Sequence, residues 1–130
     1  CTNETLIALM GAMHMSLLGP EGLAKLAGRN MAACQLAKNK LSEIPTIALP
    51  HAMNSHYNEF VVELPGAASD CIAYLDTQGL IGGYDLSNWY TQRRNWLLVS
   101  FCDQTKAAEI ELLAAHLAVW SASVTKGVSA

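Results

Sequence analysis

The 130 residues predict an α+β domain: a small, mostly antiparallel sheet with helices packed on one face. Two observations predict it. The periodicities run helix, helix, strand, strand, helix, strand, strand, helix, an order that a short antiparallel sheet with a helical layer accommodates. The strand-like stretches are also brief and of two kinds, an alternating one at 58–64 and a near-continuous apolar one at 96–101.

The first helix is the most unusual element. Between Asn3 and Pro20 the only charged side chain is Glu4, and the run from Leu6 to Leu18 is apolar on every helical face. A helix that is apolar all round requires burial all round, and a chain of 130 residues has little interior with which to surround one. Protein outside this sequence is therefore expected to cover its far side. The stretch falls short of the roughly 20 successive apolar residues that cross a bilayer. Thr2 or Asn3 is expected to cap the helix, with Glu4 in the first turn. Gly19-Pro20 should end it, because Gly takes the left-handed C-terminal turn and Pro suits the first position of the next helix.

In that next helix Leu23, Ala27, Asn30, Cys34, Ala37 and Leu41 form one stripe, with Lys25, Arg29, Lys38 and Lys40 off it. It should stop near Pro45, which disfavours helix in the residue before it. A short strand is expected at 46–49, then a polar loop at 50–56. In the strand at 58–64, Phe60, Val62 and Leu64 share a face. Ser69 is expected to cap a short helix bearing Ile72 and Leu75, closed by Gly79. Leu80-Ile81 suggests another short strand, and the glycines of 79–83 are assigned to turn geometry. Segment 84–95 has no period and reads as a structured loop, and 96–101 as a buried strand. Asp103, Gln104 and Thr105 offer caps for a last helix with Ile110, Leu113, Leu117 and Trp120 along one face. Residues 121–130 read as a frayed tail, so the domain is placed at 1–120.

Charged residues make up 15% of the chain and hydrophobic ones 52%, against about 25% charged in an average soluble protein. Mean hydropathy is +0.21. Together with an opening that reads as a helix cap, this marks the chain as a piece of a longer protein with hidden surface. The net charge of −3 provides no basic field for a phosphate backbone or an anionic membrane, so neither nucleic acid nor membrane is expected as a partner. Cys1, Cys34, Cys71 and Cys102 lack CxxC spacing and the density of a disulfide scaffold. Reduced, structural thiols in the cytoplasm are expected.

No Walker loop, GxGxxG, HExxH or GxSxG occurs. His51 and His56, with Cys34, Cys71 or Cys102, lack the tight pairing of zinc sites. His14 and His116 read as packing-edge histidines. Lys25, Lys38, Lys40, Lys106 and Lys126 lie on polar helix faces or in the tail, whereas a Schiff-base lysine works best where burial favours the neutral amine. Arg93-Arg94, between Tyr90 and Trp96, is read as part of a loop whose aromatic side chains pack on a neighbouring surface. No catalytic, cofactor-binding or metal-binding residue is assigned.

An ordered set of motifs remains: Cys1-Thr2-Asn3, Leu17-Leu18-Gly19-Pro20-Glu21-Gly22-Leu23, Asn58-Glu59-Phe60-Val61-Val62, and Val99 to Thr105. In these the chain resembles the C-terminal part of subunit 1 of glycine dehydrogenase (decarboxylating), the P-protein of the glycine cleavage system. The family often has Val-Thr-Glu in place of Phe101-Cys102-Asp103, and segment 84–95 matches loosely. The resemblance implies the C-terminal small domain of a fold type I pyridoxal-phosphate enzyme, with the cofactor bound in the parent complex and not by this piece. It implies a missing large domain of the same chain, and a subunit 2 that holds the Schiff-base lysine. The assembly would decarboxylate glycine and pass the aminomethyl group to the lipoyl arm of H-protein. Leu6, Met10, Met13, Tyr84, Trp89 and Tyr90 are the expected interface residues, and the isolated piece is expected to self-associate and to be inactive. Two other readings stay open: the small domain of another fold type I enzyme, such as a cysteine desulfurase or aminotransferase, and a stand-alone α+β ligand-binding module.

Overall fold

A computed structural model describes residues 4–127. The element order is α1 (Glu4–Ser42), β1 (Glu59–Glu63), α2 (Ala68–Thr77), β2 (Tyr84–Asp85), a single 3-10 turn (Leu86–Asn88), β3 (Trp96–Ser100) and α3 (Ala107–Gly127). The three strands form an antiparallel sheet in the order β1-β3-β2. Val62 pairs with Leu97, Phe60 with Val99, and Tyr84 with Leu98.

α1 is two helices joined at a bend. Gly19 sits at φ 62° and ψ −177°, an extended positive-φ conformation open essentially to Gly alone and costing other residues about 1–3 kcal/mol, and Pro20 starts the second leg as expected. The proposed cap residues Thr2 and Asn3 lie outside the described residues. On the second leg Cys34, Ala37 and Leu41 are buried, while Lys25 and Arg29 are exposed.

One face of the sheet carries Phe60, Val62, Leu97 and Val99 into a core cluster completed by Leu64 and Phe101. All three helices join that cluster: Cys34, Ala37 and Leu41 from α1, Ala68, Cys71 and Leu75 from α2, and Ile110, Leu113, Leu117 and Trp120 from α3. The alternation at 58–64 and the apolar run at 96–101 therefore place their side chains as the period of two requires.

Several local expectations are corrected. Residues 46–49 form no strand: Ala48 makes one isolated bridge to Glu63, and Pro45 and Pro50 deprive the segment of two ladder donors. Leu80-Ile81 is not a strand either. The sheet is entered only at Tyr84, after Gly83 at φ 141° passes so close to the Leu98 carbonyl that a Cβ would collide with it. Ser69 does not cap α2. Ala67 is the cap residue, without a side-chain bond, and the Ala68 N–H donates to the Arg94 carbonyl at 2.8 Å, so the neighbouring loop satisfies an amide that a side chain would otherwise serve. Gly79, at φ 73°, does follow the end of that helix.

The start of α3 is likewise arranged differently. Thr105 closes its own turn by accepting the Cys102 N–H at 3.0 Å, while the Lys106 N–H donates to Glu109 Oε2 at 2.8 Å, half of a capping box. Residues 121–127, expected to fray, continue α3. Ser121 is fully buried, and the Thr46 hydroxyl donates to its Oγ at 2.6 Å. Val124 packs against the core.

Candidate interaction surface

Every residue from 4 to 17 is exposed. Leu6, Ile7, Leu9, Met10, Met13 and Met15 are each more than half exposed and Leu17 is 85% exposed. The expectation that this chain does not bury its own first helix is met for residues 4–17. An isolated helix shorter than about 12–15 residues is marginal in water even with favourable composition. This leg has no tertiary support of its own. Leu6, Met10 and Met13, at spacings of four and three, lie along one line of it.

The second set of expected contact residues lies on β2 and the loop that follows. Tyr84 is 47%, Trp89 75% and Tyr90 56% exposed. The structure ties two of them together and the third to a neighbour: Trp89 Nε1 donates to the Tyr84 hydroxyl at 3.0 Å, and the Tyr90 and Trp96 rings tilt together at 6.3 Å. The Arg93 guanidinium lies 4.5 Å over the Trp96 ring, and the His51 ring meets its edge at 5.9 Å. Arg93 is thus occupied by a cation–π contact, and this cluster is a stiffened aromatic platform. Leu6, Met10 and Met13 lie on α1, whereas Tyr84, Trp89 and Tyr90 lie on β2 and the loop after it.

The apolar sequence of α1 and α3 also has a membrane aspect. The helices Glu4–Ser42 and Ala107–Lys126 are both long and apolar enough to cross a membrane. In α1, however, the Gly19 bend leaves residues 4–18 a rise of roughly 22 Å, against a hydrocarbon core of about 30 Å. In α3, Ile110, Leu113, Leu117 and Trp120 belong to the core.

Among the titratable groups, Cys34 and Cys71 are buried free thiols, as structural cysteines are, whereas the Cys102 thiol is free and exposed. Burial raises the Cys34 thiol, with Lys38 working in the opposite direction, and pushes Cys71 up to about 12. Both are inert thiols at neutral pH. His116 Nδ1 and the Tyr74 hydroxyl are 3.2 Å apart at a packing edge, as expected, and His14 is exposed. No group of three or more His, Cys, Asp or Glu fit to hold a metal is found among the described residues.

Two polar anchors escaped the sequence reading. Asn30 Oδ1 accepts the Asp103 N–H at 2.6 Å and its amide donates to the Tyr57 hydroxyl at 2.9 Å, pinning α1 to the segment that leads out of β3. Its signal was present, a lone amide within an apolar stripe. Lys38, placed on a polar face, instead reaches over loop 50–56, where it donates to the Ala52 and Asn54 carbonyls. No local pattern marks that contact, since its partners are backbone carbonyls 14 and 16 residues away.

The fold and its surface define an α+β domain that presents an unburied apolar helix and an aromatic platform. The model of the glycine cleavage system P-protein family matches residues 1–117. The chain belongs to that family. It is 33% identical over 123 residues to the probable glycine dehydrogenase (decarboxylating) subunit 1 of Thiobacillus denitrificans, an alignment covering 90% of this chain and 26% of the relative. With the same-named protein of Nitratidesulfovibrio vulgaris it shares 32% over 117 residues, with the same coverage. A crystal structure of glycine decarboxylase (P-protein) of the glycine cleavage system, in inhibitor-bound form, superposes with a TM-score of 0.80 at 27% identity, over 92% of this chain and 26% of that one. This chain therefore spans 26% of the length of the relatives it matches.

Proposed function

We propose that the chain is the C-terminal small domain of subunit 1 of a glycine dehydrogenase (decarboxylating), a fold type I enzyme, and that it serves as scaffold and interface. The backbone agreement over 92% of the chain is the observation that carries this reading, and the exposed leg of α1 is the feature it explains. On this reading Leu6, Met10 and Met13 pack against the large domain of the same chain, and Tyr84, Trp89 and Tyr90 against a neighbouring surface of the assembly with subunit 2. H-protein is reached through the assembled enzyme, in the cytoplasm. On this reading the small domain takes in the whole of α3, which runs to Gly127.

Pyridoxal phosphate in the parent enzyme supplies the electron sink for the carbanion that decarboxylation leaves. The lysines described here do not fit the attachment of that group. Lys25, Lys106 and Lys126 are exposed, Lys40 is only half-buried in the last turn of α1, and Lys38, half-buried, has its ammonium committed to two carbonyls and an imidazole. A Schiff-base lysine belongs in an apolar, desolvated pocket, so no step of the reaction is assigned to this chain.

The test is reconstitution. The full subunit that contains this chain, combined with subunit 2 and lipoylated H-protein, should release carbon dioxide from glycine, and replacing Leu6, Met10 and Met13 by Ser should impair assembly more than the chemistry of whatever complex still forms. Failure of the reconstituted pair to act on glycine would refute the assignment. Borohydride reduction of the isolated chain with pyridoxal phosphate should label no single lysine selectively.

A further inference from the structure

Loop 50–56 crosses the second leg of α1 as two linked turns, in which the Ala52 N–H bonds the Leu49 carbonyl and the Asn54 N–H the His51 carbonyl, each at 3.0 Å. The outward carbonyls of these turns converge on one ammonium. Lys38 Nζ lies 2.9 Å from the Ala52 oxygen, 3.3 Å from the Asn54 oxygen and 3.1 Å from His56 Nδ1. An ammonium has three donors and no acceptor, so all three are engaged by a single loop. An imidazole has an acceptor nitrogen only when it is neutral. The third bond therefore exists in one protonation state of His56.

The geometry points to Lys38 and His56 as a proton-operated latch: loop 50–56 is held on α1 while His56 is neutral and is let go when the imidazole takes up a proton. Protonation turns an acceptor into a donor and sets a second positive charge beside the ammonium. The surroundings oppose that charge. Burial first, then Lys38, and lastly His51 lower the His56 pKa from 6.5, while the Asn54 carbonyl works the other way. From β1 the ring receives only the edge of Phe60, at 6.0 Å, and on α1 the neighbouring Cys34 is a protonated, uncharged thiol. With the folded-state pKa below the unfolded one, the latch's contribution is complete above pH 6.5 and is lost as the pH falls through the folded value. The docked loop and α1 together wall a groove, with Gln35, Asn39 and Ser42 on the helix side and Ala52, Met53 and Asn54 on the loop side, so release takes that groove apart and bares the helix face beneath it only in acid.

Hydrogen–deuterium exchange on the intact protein that carries this chain tests the latch, with intrinsic rates corrected and the β3 peptide as internal control. Between pH ~7.5 and ~5, protection of the loop should fall roughly fivefold or more while β3 keeps its own. His56→Asn, whose amide oxygen replaces Nδ1 as a neutral acceptor, should hold the loop equally at both pH values, and Lys38→Met should leave it unprotected at both. Unchanged loop protection in the native protein, the same fall in His56→Asn, retained protection in Lys38→Met, or loss of β3 protection together with the loop would each overturn the proposal.

Discussion

The two legs of α1 have similar helical backbones and opposite fates. Past the Gly19 bend, a stripe of Cys34, Ala37 and Leu41 is buried against the sheet and α3, and charged residues occupy the other side. Before the bend, apolar side chains cover every face and none is buried. Hydropathy alone ranks the first leg as the more deeply buried of the two, and within this chain it is the reverse. The difference teaches that hydropathy reports how much surface must be covered, whereas the layout of polar and apolar residues reports from how many sides. A one-sided stripe is satisfied by the chain's own sheet; an all-round apolar surface needs a cradle.

The largest effect that sharpens this comparison concerns the first leg's hunger for cover. Leu and Met side chains each gain about 1.5–3 kcal/mol on full burial, so the isolated chain should self-associate and bind hydrophobic dyes. Replacing Leu6, Met10 and Met13 together by Ser should abolish most of both, read by light scattering and dye fluorescence, with the near-ultraviolet signature of the core intact. A monodisperse, dye-silent native chain would break the comparison.

Next in size is the contrast between single truncations. Leu41→Ala, in a fully enclosed position of the second leg, should cost about 2–5 kcal/mol in denaturant unfolding. Leu17→Ala, on the exposed leg, should change the same measurement by less than about 0.5 kcal/mol. Equal losses would show that the first leg is packed after all.

Glycine substitutions give smaller and opposite shifts. An added Cβ meets nothing within 4 Å at either Gly11 or Gly19, but Gly19 has φ +62°. Gly19→Ala should therefore lose about 1–3 kcal/mol from backbone strain alone. Gly11→Ala should instead stabilise the first leg's helix by up to about 1 kcal/mol, a gain in helix content visible by circular dichroism. The smallest effect at neutral pH is thiol chemistry: Cys102 should be alkylated in the folded chain, and Cys34 and Cys71 only after unfolding. Because burial raises Cys71 from 9.0 to about 12, its contribution to stability is present below pH 9 and is lost as the pH climbs toward 12. Cys71→Ala should flatten that alkaline decline.

The legible parts of the fold were those in which a local period coincides with a burial pattern. Phe60, Val62 and Leu64, then Leu97, Val99 and Phe101, then Ile110, Leu113, Leu117 and Trp120 were all assigned to the core and are buried there. The Gly19-Pro20 break was equally clear, because Gly and Pro act through their own backbone chemistry. The misread parts were short and depended on neighbours. Ala68 is capped by a carbonyl from the Arg94 loop and not by Ser69, and residues 121–127 are ordered by a hydroxyl from Thr46. Nothing near those residues in the chain announces either partner.

Of the interaction surface, the sequence by itself determined that the first helix demands cover and that Tyr84, Trp89 and Tyr90 stand in an aperiodic aromatic stretch. Both follow from side-chain chemistry, which needs no coordinates. Tertiary structure alone decided that no face of residues 4–17 is covered within the chain, that Trp89 is braced by Tyr84 and Arg93 is spent on Trp96, and that Lys38 gathers loop 50–56. The physical reason is that composition and period describe what each segment needs, while contacts between segments far apart along the chain are settled only when the whole chain competes for the same buried volume.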